Sequence, residues 1–191
     1  CKIQSDAKLF IERVLHEGIT GNASTEWREY CDRMRNTYPQ FLPVLLDDSY
    51  VCPYRFYDKL SECLDEDATV VIGSSGTAFS VGGQAFRSKA AQRVFTSKGM
   101  AAMGTGLPSV IGAHFAREGP QLVTIIGDGG LQLNIQELQT IRHHNIPAKI
   151  FVLNNGGYNA IQTTQRTNFE GRFVGAGPSS GVSFPPLHKI A

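Results

Sequence analysis

Two short apolar segments, each followed at once by a glycine-rich polar loop, constrain the fold of this chain more than any other feature. Residues 122–126 read Leu-Val-Thr-Ile-Ile before Gly-Asp-Gly-Gly, and residues 149–153 read Lys-Ile-Phe-Val-Leu before Asn-Asn-Gly-Gly. Continuous apolar runs of this kind are typical of strands in a parallel sheet that is covered on both faces. The stretch between them is long enough for the crossover that parallel neighbours require. The pair therefore predicts a strand–helix–strand unit with two polar loops at one sheet edge.

The rest of the chain carries further segments with strand or helix periodicity. We expect strands at 68–72 and 93–97, helices at 6–17, 25–37, 54–65, 107–117 and 131–144, and an extended Gly/Pro/Ser-rich loop at 171–186. Apolar strands that alternate with helices predict an α/β fold of three layers, in which a mostly parallel sheet has helices on both faces. Ligands of such sheets bind at the carboxyl ends of the strands.

Composition excludes several classes of function. The chain has 191 residues with 18 basic and 17 acidic side chains, and its formal net charge is +1. This balance gives no electrostatic reason to expect a nucleic-acid or membrane partner, and no apolar run approaches the roughly 20 residues that span a bilayer. The four cysteines form no C-x-x-C pair. We therefore expect reduced, structural thiols in a cytoplasmic protein, rather than a disulfide framework or a zinc site.

Asp128 lies in a loop that otherwise favours phosphate, because glycines and a following helix start offer backbone N–H groups to an anion. A Mg²⁺ ion resolves this conflict, since it binds carboxylate and phosphate oxygens together. Asn155, 27 residues later, offers an amide oxygen, and Gly157 offers a carbonyl. We therefore predict Asp128, Asn155 and Gly157 as Mg²⁺ ligands. The alternative is a glycine-rich turn and an Asn-rich strand end that each cap locally.

The Gly-Asp-Gly at 127–129, the intervening helix and the Asn-Asn at 154–155 together resemble the motif of thiamine-diphosphate enzymes. Residues 99–108 (Gly-Met-Ala-Ala-Met-Gly-Thr-Gly-Leu-Pro) resemble a segment of the acetolactate synthase, pyruvate decarboxylase and benzoylformate decarboxylase family. In that family an apolar side chain wedges between the two cofactor rings, and Met103 matches its position. The Ala101 carbonyl matches the group that receives the aminopyrimidine amine. Such a wedge supplies the bent cofactor geometry in advance; the alternative for Met103 is a core methionine.

Residues 74–78, Ser-Ser-Gly-Thr-Ala, follow the strand expected at 68–72. The resemblance places Gly76 beside the cofactor diphosphate. Family members related to acetolactate synthase often carry bulkier Gln and His where this chain has Thr77 and Ala78. We therefore expect hydroxyls and backbone amides to bind the phosphates here. An ordinary strand-to-helix turn with a serine cap is the alternative.

The resemblance implies cofactor contacts in all of these loops. The residues concerned are Ser75, Gly76, Thr77, Ala78, Ala101, Met103, Gly127, Asp128, Gly129, Gly130, Asn155, Gly157, Tyr158 and Asn159. For Tyr158 a packing role is an equal alternative. No catalytic residue is expected in this chain, because the family's activating glutamate lies on a separate pyrimidine-binding domain that no segment here resembles.

The resemblance also divides the chain. Residues 60–191 resemble the thiamine-diphosphate and Mg²⁺-binding (C-terminal, diphosphate-binding) domain, truncated at its C-terminus. Residues 1–17 resemble the tail of a preceding middle domain, and residues 18–59 form a helical linker region. Both ends look cut, so we expect a fragment of a longer polypeptide that binds its cofactor but is inactive alone.

For the whole enzyme, the resemblance implies decarboxylation of a 2-oxo acid such as pyruvate and ligation of the resulting carbanion to an acceptor. It implies a homodimer or homotetramer, and FAD, where the parent binds it, would lie outside this chain. Within the family, the alternatives are a 2-oxo-acid decarboxylase and a sugar-modifying carboligase. Outside it, they are a non-catalytic binding module and a Rossmann dinucleotide binder. The Rossmann motif needs a final glycine that residues 127–132 lack.

Overall fold

The structure, a computed structural model, describes residues 2–19, 21, 23–39, 49–97, 99–117 and 119–190. The chain divides into two compact units, Cys1–Pro39 and Gln40–Ala191. Within the described ranges, no helix combines the length and the apolar character that crossing a bilayer requires. The division of the chain at residues 17 and 59 stays a prediction.

The first unit contains two helices, α1 (Ala7–His16) and α2 (Thr25–Thr37), where the sequence predicted them. Each begins after a polar cap. The side chains of Asp6 and Ser24 accept hydrogen bonds from backbone N–H groups of the first turns, at 2.9 and 3.2 Å. These caps satisfy amides that have no partner within the helix. No residue of either helix is buried.

The second unit is built on a four-stranded sheet in which every neighbouring pair is parallel. The strands are β1 (Thr69–Ile72), β2 (Arg93–Thr96), β3 (Leu122–Gly127) and β4 (Ala148–Leu153), in the order β2-β1-β3-β4. The predicted pairing of the two glycine-loop strands is confirmed, since β3 and β4 are neighbours. The strand order reverses between β1 and β3. At such a switch point the loops that follow the two strands diverge and open a crevice.

Helices cover both faces of this sheet, which confirms the three-layer α/β prediction. They are α3 (Pro53–Cys63), α4 (Gly76–Ala85), α5 (Gly106–Ala116), α6 (Asp128–Leu133), α7 (Glu137–His143) and α8 (Asn159–Asn168). Alternate residues of β1 face opposite layers. Val70 and Ile72 pack in one core with residues of α3 and α4, whereas Val71 packs in another with Val110 of α5. Both cores lie against the strands, so they fix the strand ends from which the site loops emerge.

The predicted helix at 131–144 is wrong, because the structure has two helices there. Helix α6 already begins at Asp128, and the chain leaves the helical conformation at Asn134, where φ is −139° and ψ is 38°. The Asn134 side chain donates a hydrogen bond to the carbonyl of Gly104 at 2.8 Å. Asparagine side chains compete with helical hydrogen bonding, and this partner, 30 residues away, is invisible to helical periodicity. Helix α8 was not predicted either.

Tyr57 gives the fold a testable dependence on pH. Its side chain is fully buried and its hydroxyl donates to the Ala78 carbonyl at 2.7 Å; burial raises the pKa of this phenol above its ordinary value. The Tyr57 phenol ionises near pH 10 in the unfolded chain but stays neutral there in the folded chain. This group should therefore lower the free energy of unfolding only as the pH rises above about 10. Tyr57→Phe should lose about 1 kcal/mol at neutral pH and show a shallower alkaline decline. Urea unfolding of both proteins across this pH range measures the two slopes, and equal slopes would contradict the prediction.

Candidate active site

The loops that follow β1, β3 and β4 open into one cleft of about 340 Å³ at the carboxyl edge of the sheet. It is lined by Ser74, Ser75, Gly76, Phe79, Ser80, Ala101, Met103, Gly127, Asp128, Gly129, Gly130, Asn155, Gly157, Tyr158, Asn159, Ala160 and Ile161. The structure therefore brings together every residue predicted to bind cofactor except Thr77 and Ala78. The cleft lies where the strand order reverses, which is the usual ligand position in open α/β sheets.

Another groove, of about 400 Å³, lies between β2 and α5. Its described lining residues include the hydroxyls of Thr96, Ser97, Thr105 and Ser109 but no charged side chain. It therefore lacks the carboxylate that a divalent cation requires, and the cleft at the switch point is the better candidate for a metal-anchored cofactor.

The loop after β1 reaches the cleft through the first turn of α4. The hydroxyl oxygen of Ser75 accepts a hydrogen bond from the backbone N–H of Ala78 at 3.1 Å, as the cap of this helix. The serine-cap alternative is therefore what the structure contains. A hydroxyl that accepts one bond still has its proton to donate, so the cap leaves Ser75 available to an anion. The side chain of Ala78 is fully buried in the core, which explains its absence from the cleft.

Gly76 lies where the first turn of α4 meets the start of α8. A Cβ atom at residue 76 would lie 3.1 Å from the Cβ of Ala160. This distance is tighter than ordinary van der Waals contact, so a larger residue would push the two helices apart. The two helix starts therefore approach closely at this side of the cleft because residue 76 has no side chain.

Asp128 joins the tips of β3 and β4. The residue is only 4% exposed. Its Oδ1 accepts from the N–H of Gly129 at 2.8 Å, and its Oδ2 accepts from the N–H groups of Gly156 at 2.7 Å and Asn155 at 3.1 Å. An ionised carboxylate has about four acceptor positions, so three N–H donors orient the group and leave a lone pair for a cation. The expected closeness of the two loops is thus present in the backbone.

The donor set at this point suits a hard cation. Asp128, Asn155 and Gly157 all line the cleft, and together they offer carboxylate, amide and carbonyl oxygens, which Mg²⁺ prefers. The Gly157 carbonyl accepts a hydrogen bond from the N–H of Asn159 at 3.1 Å and retains its second lone pair. No group of three His, Cys, Asp or Glu side chains that could hold a metal occurs in the described part of the chain. The residues present therefore fit Mg²⁺ shared with a ligand's own oxygens rather than an all-protein zinc site.

Gly157 must be a glycine for reasons of space. A Cβ at this position would lie 2.7 Å from Nε2 of Gln162 and 2.8 Å from the carbonyl oxygen of Ala176. Gln162 itself donates to that carbonyl at 2.8 Å. The missing side chain thus allows the loop after β4 to lie against the segment around residue 176, and it places the backbone of Gly157 at the cleft.

Tyr158 and Met103 converge above Gly129. A Cβ at Gly129 would lie 2.5 Å from Cε1 of Tyr158 and 3.4 Å from Cε of Met103. The Tyr158 ring also meets the ring of Phe184 edge to face, with centroids 5.6 Å apart. Tyr158 therefore packs against Phe184 and also lines the cleft, while its contact with a cofactor stays a prediction. Met103 is 39% exposed, which separates it from an ordinary core methionine.

The segment that carries Met103 has an unusual backbone. Ala101 has a φ of 49°, in the left-handed region that costs a non-glycine residue roughly 1–2 kcal/mol. Its N–H donates to the carbonyl of Ser97 at 2.6 Å. Strain of this kind persists where the surrounding contacts hold it, and it is frequent at functional sites.

Sequence reasoning missed several residues of this region. Phe79 and Ser80, on the second turn of α4, line the cleft. Ser74 and Asn134 donate side-chain hydrogen bonds to the backbone of the segment around Met103. These partners lie 28 and 30 residues apart in sequence, so no local pattern could have revealed them.

The known proteins that are similar to this chain belong to the family that its sequence motifs resemble. A family model described as the thiamine pyrophosphate enzyme, C-terminal TPP binding domain, matches residues 74–191. Acetolactate synthase 2, chloroplastic, of Zea mays is 33% identical over 158 residues, which is 80% of this chain and 24% of that protein. Acetolactate synthase of Mycobacterium leprae (strain TN) is 29% identical over 177 residues, which is 90% of this chain and 28% of that protein. The chain thus spans about a quarter of the length of these curated relatives.

Proposed function

We propose that this chain, which belongs to the thiamine pyrophosphate enzyme family as its C-terminal TPP-binding domain, binds thiamine diphosphate through a Mg²⁺ ion. The observation that carries the proposal is Asp128, a buried carboxylate at the switch-point cleft whose oxygens accept N–H bonds from the loops after β3 and β4. A buried carboxylate is costly unless it is paired or binds a cation. A Mg²⁺ ion held by Asp128 would balance this charge and would supply the positive charge that a diphosphate needs.

The residues of the cleft divide this task. Asp128, Asn155 and Gly157 would hold the metal, while Ser75 and the first-turn amides of α4 would bind phosphate oxygens, as helix N-termini do. Met103 would separate the two rings of the cofactor, and the Ala101 carbonyl would accept the aminopyrimidine amine. When bound, the cofactor supplies a carbon nucleophile for the carbonyl of a 2-oxo acid. The protein's share is placement and the exclusion of water.

The activity of the whole enzyme is the second part of the proposal. We infer an acetolactate-synthase-like enzyme that decarboxylates a 2-oxo acid such as pyruvate and ligates the product to an acceptor, because several curated relatives carry that name. The active assembly would be a homodimer or homotetramer, and any FAD would bind outside this chain. A decarboxylase and a sugar-modifying carboligase remain the alternatives within the family. We propose a cytoplasmic location, where thiols such as those of Cys31, Cys52 and Cys63 stay reduced.

A calorimetric titration tests the cofactor proposal. We expect the purified chain to bind thiamine diphosphate saturably with Mg²⁺ present and to lose this binding when EDTA removes the metal. NAD, titrated in parallel, should not bind. Metal-independent binding of thiamine diphosphate, or saturable binding of NAD, would contradict the proposal. Pyruvate decarboxylation by the chain alone should be absent, because the activating glutamate is expected on another domain.

A further inference from the structure

The segment 99–104, which carries Met103, is held by side chains that lie outside the segment. The Ser74 hydroxyl, in the loop after β1, donates a hydrogen bond to the carbonyl of Ala102. The Thr105 hydroxyl donates to the same carbonyl at 3.1 Å. A carbonyl oxygen has two lone pairs, so these two hydroxyls use its full accepting capacity and fix the peptide group directly before Met103.

The peptide group after Gly104 is held in the same way. Nδ2 of Asn134 donates to the carbonyl of Gly104 at 2.8 Å, and Oδ1 of Asn134 accepts from Nε2 of Gln136 at 3.0 Å. The second bond fixes which side of the Asn134 amide faces Gly104. Asn134 is also where helix α6 ends, so the residue leaves the helix at the point where its side chain reaches this carbonyl.

The hydrogen bonds from Ser74 and Asn134 connect the segment 99–104 to the regions that follow β1 and β3. Ser74 directly precedes Ser75 and Gly76, whereas Asn134 follows helix α6, which begins at Asp128. The segment also contains the left-handed Ala101. A strained backbone needs outside contacts to persist, and the bonds to the carbonyls on both sides of Met103 provide them.

We propose that Ser74 and Asn134 are positioning residues that set Met103 and the Ala101 carbonyl for the ring end of a bound thiamine diphosphate, without touching its diphosphate. The inference rests on the proposed function. It assigns Ser74 to the neighbouring backbone rather than to phosphate, although its sequence neighbours Ser75 and Gly76 are expected to bind phosphate. It also accounts for the break between α6 and α7, since a continuous helix would carry Asn134 away from Gly104.

Two ligands distinguish the contacts to the cofactor rings from the contacts to its diphosphate. Inorganic pyrophosphate with Mg²⁺ reports only on the anchor formed by Asp128 and its neighbours, while thiamine diphosphate with Mg²⁺ also reports on the ring contacts. We expect Ser74→Ala and Asn134→Ala each to weaken thiamine diphosphate binding by about 3- to 10-fold, the usual effect of one hydrogen bond. Pyrophosphate binding should stay within about 2-fold, since the anchor is unchanged. Ser74→Thr keeps the hydroxyl and should restore the wild-type ratio of the two affinities. Gln132→Ala, at an exposed position in α6 two residues before Asn134, is the matched control and should change neither affinity.

The outcomes distinguish this inference from the proposed function. If the wild-type chain binds neither ligand, the proposed function fails and the inference fails with it. If the wild type binds both but each alanine variant weakens both equally, Ser74 and Asn134 act on the anchor or on the fold, and the positioning role is wrong. Unchanged affinities for both ligands in both variants would overturn it as well. Thermal unfolding of every variant without ligand shows whether the fold itself is retained.

Discussion

Replacement of Asp128 by alanine is expected to abolish Mg²⁺-dependent binding of thiamine diphosphate, with a loss of affinity of at least about 100-fold. Asp128 is the only carboxylate among the described residues that line the cleft, so no neighbouring side chain can replace its charge. Hydrogen bonds and contacts to a charged group contribute roughly 1.5–3 kcal/mol each, and about 2.7 kcal/mol already corresponds to a 100-fold change. Titration of the variant with thiamine diphosphate, with and without Mg²⁺, measures this loss.

The same substitution should also destabilise the apo chain, because the N–H groups of Gly129, Asn155 and Gly156 lose their acceptor. An unsatisfied buried donor, as the N–H of Gly129 would become, costs about 1–3 kcal/mol, whereas the exposed Asn155 and Gly156 can donate to water instead. Asp128→Asn separates the two effects, since it keeps the volume and one acceptor oxygen but removes the charge. We expect it to lose binding while it retains more stability than the alanine variant. Asp67→Ala removes an exposed carboxylate outside the cleft and should bind like the wild type. Normal Mg²⁺-dependent binding by Asp128→Asn would refute the metal role.

Strands β3 and β4 and the loops that follow them could be predicted because they depend on short-range sequence patterns. The apolar runs at 122–126 and 149–153 predict β3 and β4 because β3 is buried along its length and β4 is half-buried at every residue except Lys149. The polar loops then share one edge because parallel neighbours end on the same side of the sheet. Asp128 and Asn155 could therefore be placed together without coordinates.

The rest of the site could not be predicted because it depends on contacts between distant residues. In the sequence, nothing distinguishes Ser74 from any other serine in a loop. Only the fold shows that its hydroxyl donates to the Ala102 carbonyl. Asn134 fits the helical pattern of 131–144, yet in the structure it ends α6 and its side chain donates to the Gly104 carbonyl. Ala78 lies in the core and not in the cleft, and this placement likewise depends on where α4 packs on the sheet. Local propensity yields to tertiary contacts in each of these cases.

Gly106→Ala is expected to lower the free energy of unfolding by about 3 kcal/mol, the upper part of the range for an overpacked core. Gly106 begins α5 directly above β3, and a Cβ there would lie 2.1 Å from Cγ2 of Ile126. Ile126 is only 2% exposed, so its side chain has no free space into which it can move. The clash must therefore displace α5 from the sheet or distort β3, which carries Asp128 at its end. For a chain of this size, the melting temperature should fall by roughly 6–12 °C.

Gly112→Ala, in the same helix, is the matched control because a Cβ there meets no atom within 4 Å. It should stabilise the chain by about 0.5–1 kcal/mol, since alanine favours the helix over glycine. The double variant Gly106→Ala with Ile126→Ala removes the atom that the new methyl group meets. Its destabilisation should be smaller than the sum of the two single effects by roughly 1–3 kcal/mol, as measured by urea unfolding. If Gly106→Ala were as stable as Gly112→Ala, or if the two core substitutions were additive, close contact between α5 and β3 would not be what requires glycine at this position.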